Sequence, residues 1–378
     1  MITRTKSLAG VALLASAAFV LTACAATEEA AMDETNTAGA EANSSLSGTL
    51  VGAGASSQGS AQEAWVAGFQ TANPDVTVSY DPIGSGGGRE TFQSGASSFA
   101  GSDRAFKVDE IAEDNFGSCE PGTGIWEIPA YISPIAVIFN LDGIDSLDLD
   151  PDTLAGIFTG EITNWSDDAI TSQNPGVDLP DLTITAVHRS DESGTTDNFT
   201  DYMAKAAPNT WLLNGENAGN FEAWPAEWGG EGAPQTSGVV DAVTNGTGTI
   251  GYADASRAGD LGTVAVKVGA EYVPYSAEAA AKIVDASPAD SPGERGETDL
   301  AIALDRATDA SGTYPIVLVS YFIGCNDYKD DSVVDLMKAY ASYVISEEGQ
   351  AAAQANAGNA PISADLRAKA EAVIAAIQ

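Results

Sequence analysis

Strands that end in glycine- and serine-rich loops and open directly into helices recur along this sequence, which predicts an α/β protein in two lobes. Three observations carry that expectation. The order strand, Gly/Ser loop, helix is found at residues 48–71, 76–92 and 182–205, the alternation expected of parallel α/β units. Roughly 330 residues follow an N-terminal leader and tether, more than one hydrophobic core usually holds. Finally, two long apolar runs, residues 125–140 (IWEIPAYISPIAVIFN) and 314–322 (YPIVLVSYF), suit strands that cross from one lobe to the other. Each lobe is expected to be a mixed, mostly parallel sheet flanked by helices, with the two crossover strands joining them. Pairing the crossings makes the first lobe discontinuous, residues 47–133 plus 318–378, with residues 134–317 as the second.

Residues 1–23 read as an export signal. Arg4 and Lys6 supply the positive start, and residues 8–20 form an apolar run too short to span a membrane. The segment closes on Leu21-Thr22-Ala23-Cys24, which resembles the lipobox of bacterial lipoproteins and implies cleavage before Cys24 and acylation of its sulfur. Residues 24–46 are mostly Ala, Glu, Thr, Asn and Ser with almost nothing to bury, a disordered acidic tether that lifts the folded part off a lipid surface.

The formal net charge is −38, and the leader carries only positive residues, so the mature chain holds 14 Lys and Arg against 54 Asp and Glu. Such a chain has no basic patch for nucleic acid, which argues against that class of partner. Any anionic ligand must be held by short-range donors in a desolvated cleft, because the long-range field repels it and only salt screening helps. Apart from Cys24, Cys119 and Cys325 are the cysteines present; in an exported chain they most simply form one disulfide, two buried thiols being the alternative. One His and three Cys make a structural zinc site improbable, and no cofactor is implied.

Taken in order, residues 48–51 form a strand that runs into Gly52-Ala53-Gly54-Ala55-Ser56-Ser57, followed by a helix over 60–71 with Trp65 and Phe69 four apart. Serine at position 57 breaks the dinucleotide fingerprint, which needs glycine there. A second strand, 76–80, ends in Gly84-Ser85-Gly86-Gly87-Gly88-Arg89, without the Gly-Lys-Ser/Thr of a nucleotide loop. Residues 99–103 form a short strand ending on Asp103, whose commonest use would be to cap the next element. A helix over 151–158 and a turn with a core Trp165 come next.

A β-branched strand, 182–187, then leads into His188-Arg189-Ser190-Asp191-Glu192-Ser193-Gly194-Thr195 and a helix with Phe199, Tyr202 and Met203 on one side. Free N–H groups, hydroxyls and the positive end of a helix dipole meet there, and Arg189 adds a forked positive charge, a combination that binds anions. The plainer reading is an ordinary cap with Arg189 solvated. Residues 211–228 read as a packed aromatic loop. A helix at 237–244, a strand at 249–252, and amphipathic helices at 333–345 and 364–377 complete the chain.

With these loops in view, the chain resembles the phosphate-binding lipoproteins of bacterial ABC phosphate importers over almost all of its mature region. The resemblance rests on Gly52 to Ser56, Gly84-Ser85-Gly86-Gly87, Gly101-Ser102-Asp103, Trp165-Ser166-Asp167-Asp168, Arg189 to Thr195, and Gly248-Thr249-Ile250-Gly251-Tyr252. It implies a type II periplasmic-binding-protein fold whose cleft closes on inorganic phosphate, a monomer that meets a membrane permease and its ATPase through its rims, and a lipid anchor at the outer face of the cell membrane. It further implies that Ser56 and Ser85 donate hydroxyl and amide to the anion and that Ser57, where relatives often carry Phe, contributes its N–H. Arg189 would clamp the ligand with its rotamer fixed by Asp191, and Ser193, Gly194 and Thr195 would add donors from the helix start.

Asp103 would accept a hydrogen bond from the proton that phosphate keeps at neutral pH. Sulfate has none to give, so discrimination of ~10⁴ or more is within reach of an unpaired buried carboxylate. The competing expectations are a binding protein for another tetrahedral oxyanion, a secreted phosphate-ester hydrolase, and a surface protein that keeps the fold without transport. A hydrolase would have to use His188, and neither a Gly-x-Ser-x-Gly elbow nor a metal-ligand cluster accompanies it.

Overall fold

A computed structural model describes residues 46–378; the signal segment, Cys24 and all but the last residue of the tether lie outside the described residues. In chain order the elements are β1 (Gly48–Gly54), α1 (Gly59–Ala72), β2 (Val76–Asp81), α2 (Ser85–Gln93), β3 (Phe99–Ser102), α3 (Val108–Ala112), β4 (Ile125–Phe139), β5 (Ser146–Leu149), α4 (Pro151–Thr159), α5 (Asp168–Thr171), β6 (Thr185–Arg189) and α6 (Gly194–Ala206). A small hairpin, β7 (Leu212–Leu213) and β8 (Glu216–Asn217), precedes β9 (Glu231–Ala233), α7 (Gln235–Asn245), β10 (Thr249–Asp254), β11 (Gly262–Val268), β12 (Glu271–Val273), α8 (Ala277–Ala286), β13 (Val317–Cys325), α9 (Val334–Ile345), α10 (Glu347–Ala357) and α11 (Ala364–Ala376).

Eleven of the strands form one sheet in the order β2-β1-β3-β13-β4-β10-β6-β9, with β11, β12 and β5 attached through the far end of β4, while β7 and β8 pair with each other. Parallel pairing holds on the flanks, between β1 and both β2 and β3, and between β6 and both β10 and β9. The crossing strands pair antiparallel, because β13 returns along β4 from Val317 opposite Pro134 to Cys325 opposite Ile125. Beyond Pro134, β4 leaves β13 and pairs with β10 and β11 instead. β4 therefore belongs to two half-sheets at once, and every one of its residues is buried. That explains its composition: a strand covered on both faces reads as a continuous apolar run. Cys119 and Cys325 are joined by a disulfide beside this strand pair.

Proline in a central strand needs a local irregularity. Here the register shifts between Ser320 and Tyr321, so that Ala130 on β4 has no partner and Pro129 lies beside the bulge. The carbonyl of Ala130 is taken up by the side chain of Gln350 at 2.9 Å. Such a bulge turns nearby side chains, and Ser320 points into the site described below.

Two element boundaries differ from expectation for a physical reason. Residues 182–184 form backbone bonds back to residues 163–165, so β6 begins only at Thr185, where β10 becomes its neighbour. α2 starts at Ser85 rather than near Arg89, because Gly84 takes φ 96° and turns the chain straight into the helix.

Candidate functional site

Four chain turns, drawn from both half-sheets, meet at one place. From the first half come residues 55–58 ahead of α1, the start of α2, and Asp103 just past β3. Opposite them stand the end of β6 and the start of α6. Each helix presents N–H groups that no turn of its own helix satisfies, and the positive ends of α1, α2 and α6 converge on one small region.

Asp103 is the centre of it. It is 3 % exposed, and its carboxylate is surrounded by hydroxyl donors: Ser57 Oγ and Ser320 Oγ both donate to Oδ1 at 2.6 Å, and Thr195 Oγ1 donates to Oδ2 at 3.1 Å. Its backbone N–H donates to Ser85 Oγ at 3.0 Å, and its carbonyl accepts from Asn198 Nδ2 at 2.6 Å. Burial pushes the Asp103 pKa up, while the hydroxyls of Ser320, Ser57 and Thr195 and the charge of Arg189 pull against that rise. Asp103 caps no helix, since the N-cap of α3 is Lys107.

Gly194 opens α6 against these groups. A Cβ added there would lie 2.6 Å from Ser85 Oγ and 2.7 Å from the Cβ of Asp103, so only glycine allows the approach. Ser193, fully buried, caps the helix by accepting from the Thr196 N–H at 3.2 Å.

Arg189 is 3 % exposed, which rules out a solvated surface charge. Its Nε donates to Asp191 Oδ1 at 2.8 Å and its Nη2 bonds Oδ2, giving the two-pronged pairing that fixes a guanidinium. Burial alone would raise the Asp191 carboxyl, but hydrogen bonds and charge from Arg189 outweigh it and hold the group below its ordinary range. Asp191 Oδ1 also accepts from the Gln235 N–H at 3.0 Å. Gln235 has a φ of 58°, an unusual conformation for a non-glycine residue at the start of a helix. The pair presses on the second loop of the first half: a Cβ on Gly84 would meet Asp191 Oδ2 at 2.7 Å and Arg189 Nη2 at 3.4 Å. Ser56 reaches across as well, since its Oγ accepts from the Thr236 N–H at 3.2 Å and lies 3.0 Å from Thr236 Oγ1.

Ser56, Ser57, Ser85, Asp103, Arg189, Asp191, Ser193, Gly194 and Thr195 are thus brought together. The Ser57 hydroxyl is engaged with Asp103, a role beyond the backbone N–H expected of this residue. Sequence reasoning missed Ser320, held by a bond from Gln58 Nε2 at 2.7 Å, as well as Gln58, Thr236, Gln235 and Asn198. The one available signal was a lone serine in the otherwise apolar run of β13. His188 stacks on Trp224 with ring centroids 4.9 Å apart, and its Nδ1 lies 2.9 Å from the Arg189 carbonyl oxygen. Burial lowers its pKa. No group of three or more metal-ligating side chains occurs among the described residues.

A family model described as a PBP superfamily domain matches residues 39–348. The chain is 33 % identical to phosphate-binding protein PstS 3 of Mycobacterium tuberculosis over 378 residues, covering 98 % of each chain. It is 32 % identical to phosphate-binding protein PstS of Xylella fastidiosa, over 79 % of this chain and 78 % of that one. Among solved structures it is similar to a high-affinity periplasmic phosphate-binding protein (PfluDING) bound with phosphate, with a TM-score of 0.67 at 21 % identity, covering 86 % and 93 % of the two chains. It is also similar to a putative phosphate ABC transporter substrate-binding protein with bound phosphate from Clostridium perfringens, with a TM-score of 0.58 at 20 % identity, covering 84 % and 100 %.

Proposed function

The chain belongs to the PBP superfamily, and within it to the phosphate-binding PstS proteins, and from that premise we propose that it is the inorganic-phosphate-binding subunit of an ABC importer. It captures phosphate between two lobes, residues 47–133 plus 318–378 and residues 134–317, and passes it to a membrane permease driven by an ATPase. It acts outside the cytoplasm as a monomer, held to the outer face of the cell membrane by lipid on Cys24.

The observation that carries this reading is Asp103: a buried carboxylate facing the N-termini of α2 and α6, with a fixed Arg189 on the opposite wall. Neutral dipoles and one guanidinium replace the hydration shell of a dianion without a full counter-charge. Ser56, Ser57 and Ser85 donate from the first lobe, and Ser193, Gly194 and Thr195 from the second. Asp103 accepts the remaining proton of phosphate and repels oxyanions that have lost theirs. Binding rather than hydrolysis is supported by His188, which is engaged with Trp224 and the Arg189 carbonyl instead of with a nucleophilic hydroxyl.

Titrating the purified protein with phosphate and with sulfate, followed by intrinsic tryptophan fluorescence, tests the reading. Saturable quenching or enhancement by phosphate alone is expected. No response to phosphate in fluorescence or calorimetry would end it.

A further inference from the structure

Glu222 lies outside the set of groups assigned to the anion, yet it joins the two halves of the molecule. Its segment is anchored to the second half: the Glu222 carbonyl accepts from the Ser193 N–H at 3.1 Å, and the Phe221 N–H donates to Thr200 Oγ1 at 3.1 Å. Its carboxylate is engaged by the first half. Arg89 Nη2 donates to Oε2 at 2.5 Å, and Arg104 Nε donates to the same oxygen at 2.8 Å. The three side chains are 14 %, 5 % and 12 % exposed, so the cluster is largely desolvated.

Both guanidiniums are held in place independently of Glu222. Arg89 Nη1 donates to Ser102 Oγ at 2.7 Å, and Arg104 forms a fork with the two oxygens of Glu110 at 2.8 and 2.9 Å. The socket therefore stands ready on the first half, and one carboxylate of the second half enters it. Both sides abut the anion site directly, since Arg104 follows Asp103 in the chain and Glu222 bonds the N-cap residue of α6.

We propose that Glu222 is the closure latch of the cleft, a positioning residue that joins Arg89 and Arg104 only when the halves are shut and so sets how long bound phosphate stays. The inference rests on the phosphate-capture reading. Release requires the halves to part, and parting breaks two charge-assisted bonds before water can take their place. Entry happens before the latch forms. Loss of the latch therefore acts on the dissociation rate, whereas the charge removed with Glu222 acts weakly on association at physiological salt.

The test is stopped-flow binding of phosphate at 0.15 M salt to the wild-type chain, Glu222→Gln, Arg104→Gln and the double variant. Glu222→Gln is expected to raise the dissociation rate on the order of tenfold while leaving association within about twofold. The two single effects should fail to multiply in the double variant, a coupling that a merely structural role would not produce. A dissociation rate within twofold of wild type, or independent effects in the double variant, overturns the latch. If Glu222→Gln does not fold, Glu222→Asp and Arg104→Gln carry the same cycle. If the wild-type chain binds no phosphate, the functional reading falls instead, and small-angle scattering decides the latch: an unchanged radius of gyration in Glu222→Gln overturns it, and a larger one supports it.

Discussion

Replacing Asp103 with asparagine isolates the group to which the proposed function assigns selectivity. The pocket tolerates the change sterically: Ser57 and Ser320 still donate to Oδ1, and the new amide donates to Thr195 Oγ1, which can accept in place of donating to Oδ2 at 3.1 Å. What changes is charge. A unit charge about 4 Å from another costs ~4 kcal/mol at an effective dielectric of about 20, and in the wild type every oxyanion meets that repulsion. Phosphate recovers part of it through a charge-assisted hydrogen bond worth about 1.5–3 kcal/mol, and sulfate recovers nothing. Removing the carboxylate relieves both anions but takes the compensating bond from phosphate alone. Phosphate affinity should therefore stay within about tenfold, and the ratio of phosphate to sulfate affinity should fall by about 10- to 150-fold, the equivalent of that one bond. Isothermal titration calorimetry with both anions at fixed ionic strength and pH 8 measures the ratio. A ratio unchanged within threefold would refute the role given to Asp103. The same substitution has a sign in stability. Because burial raises the folded-state pKa of Asp103, the charged carboxylate disfavours the fold above that pKa, and the effect vanishes below the unfolded value. In ligand-free urea titrations Asp103→Asn should be more stable than wild type at pH 8 and indistinguishable from it in strong acid.

Arg189→Ala should cost on the order of 2–5 kcal/mol of phosphate affinity, since it also takes from the half-buried Asp191 its cationic partner; a loss under tenfold by calorimetry would count against a clamp. Gly194→Ala drives a methyl group into Ser85 Oγ and Asp103, so phosphate affinity should drop by at least about tenfold while unfolding free energy changes by no more than ~1–3 kcal/mol; unaltered binding would mean that the helix does not approach the anion so closely. Replacing Cys119 and Cys325 by serine should lower stability by about 2–5 kcal/mol, read as a shift in the urea midpoint of the oxidised protein, and an unmoved midpoint contradicts this.

The loops that meet around Asp103 were legible because their chemistry is local. A strand, a glycine, a serine and a helix start are contiguous in sequence, and their free N–H groups exist before any tertiary contact forms. Ser320, Gln58, Thr236 and Glu222 escaped notice for the opposite reason. Gln58 and Ser320 are 262 residues apart, Ser56 and Thr236 are 180 apart, and nothing beside any of them hints at the partner. The crossing strands were visible as apolar runs, whereas their antiparallel pairing and the bulge at Ser320 depend on register, which composition does not encode. α10, EEGQAAAQANA, was passed over because alanine and glutamine give little amphipathic contrast; it forms because Ser346 caps it and Gln350 reaches the bulged carbonyl of β4.

The disulfide brackets an unusually long stretch, with 206 positions separating its two cysteines. Every residue of the second half-sheet, and four of the groups proposed to face the anion, lie within that covalent ring. A single proteolytic nick anywhere inside it leaves one molecule with both cut ends still tethered, not two fragments that drift apart. The ring turns an otherwise terminal scission into a survivable one for as long as the sulfur bridge stays oxidised.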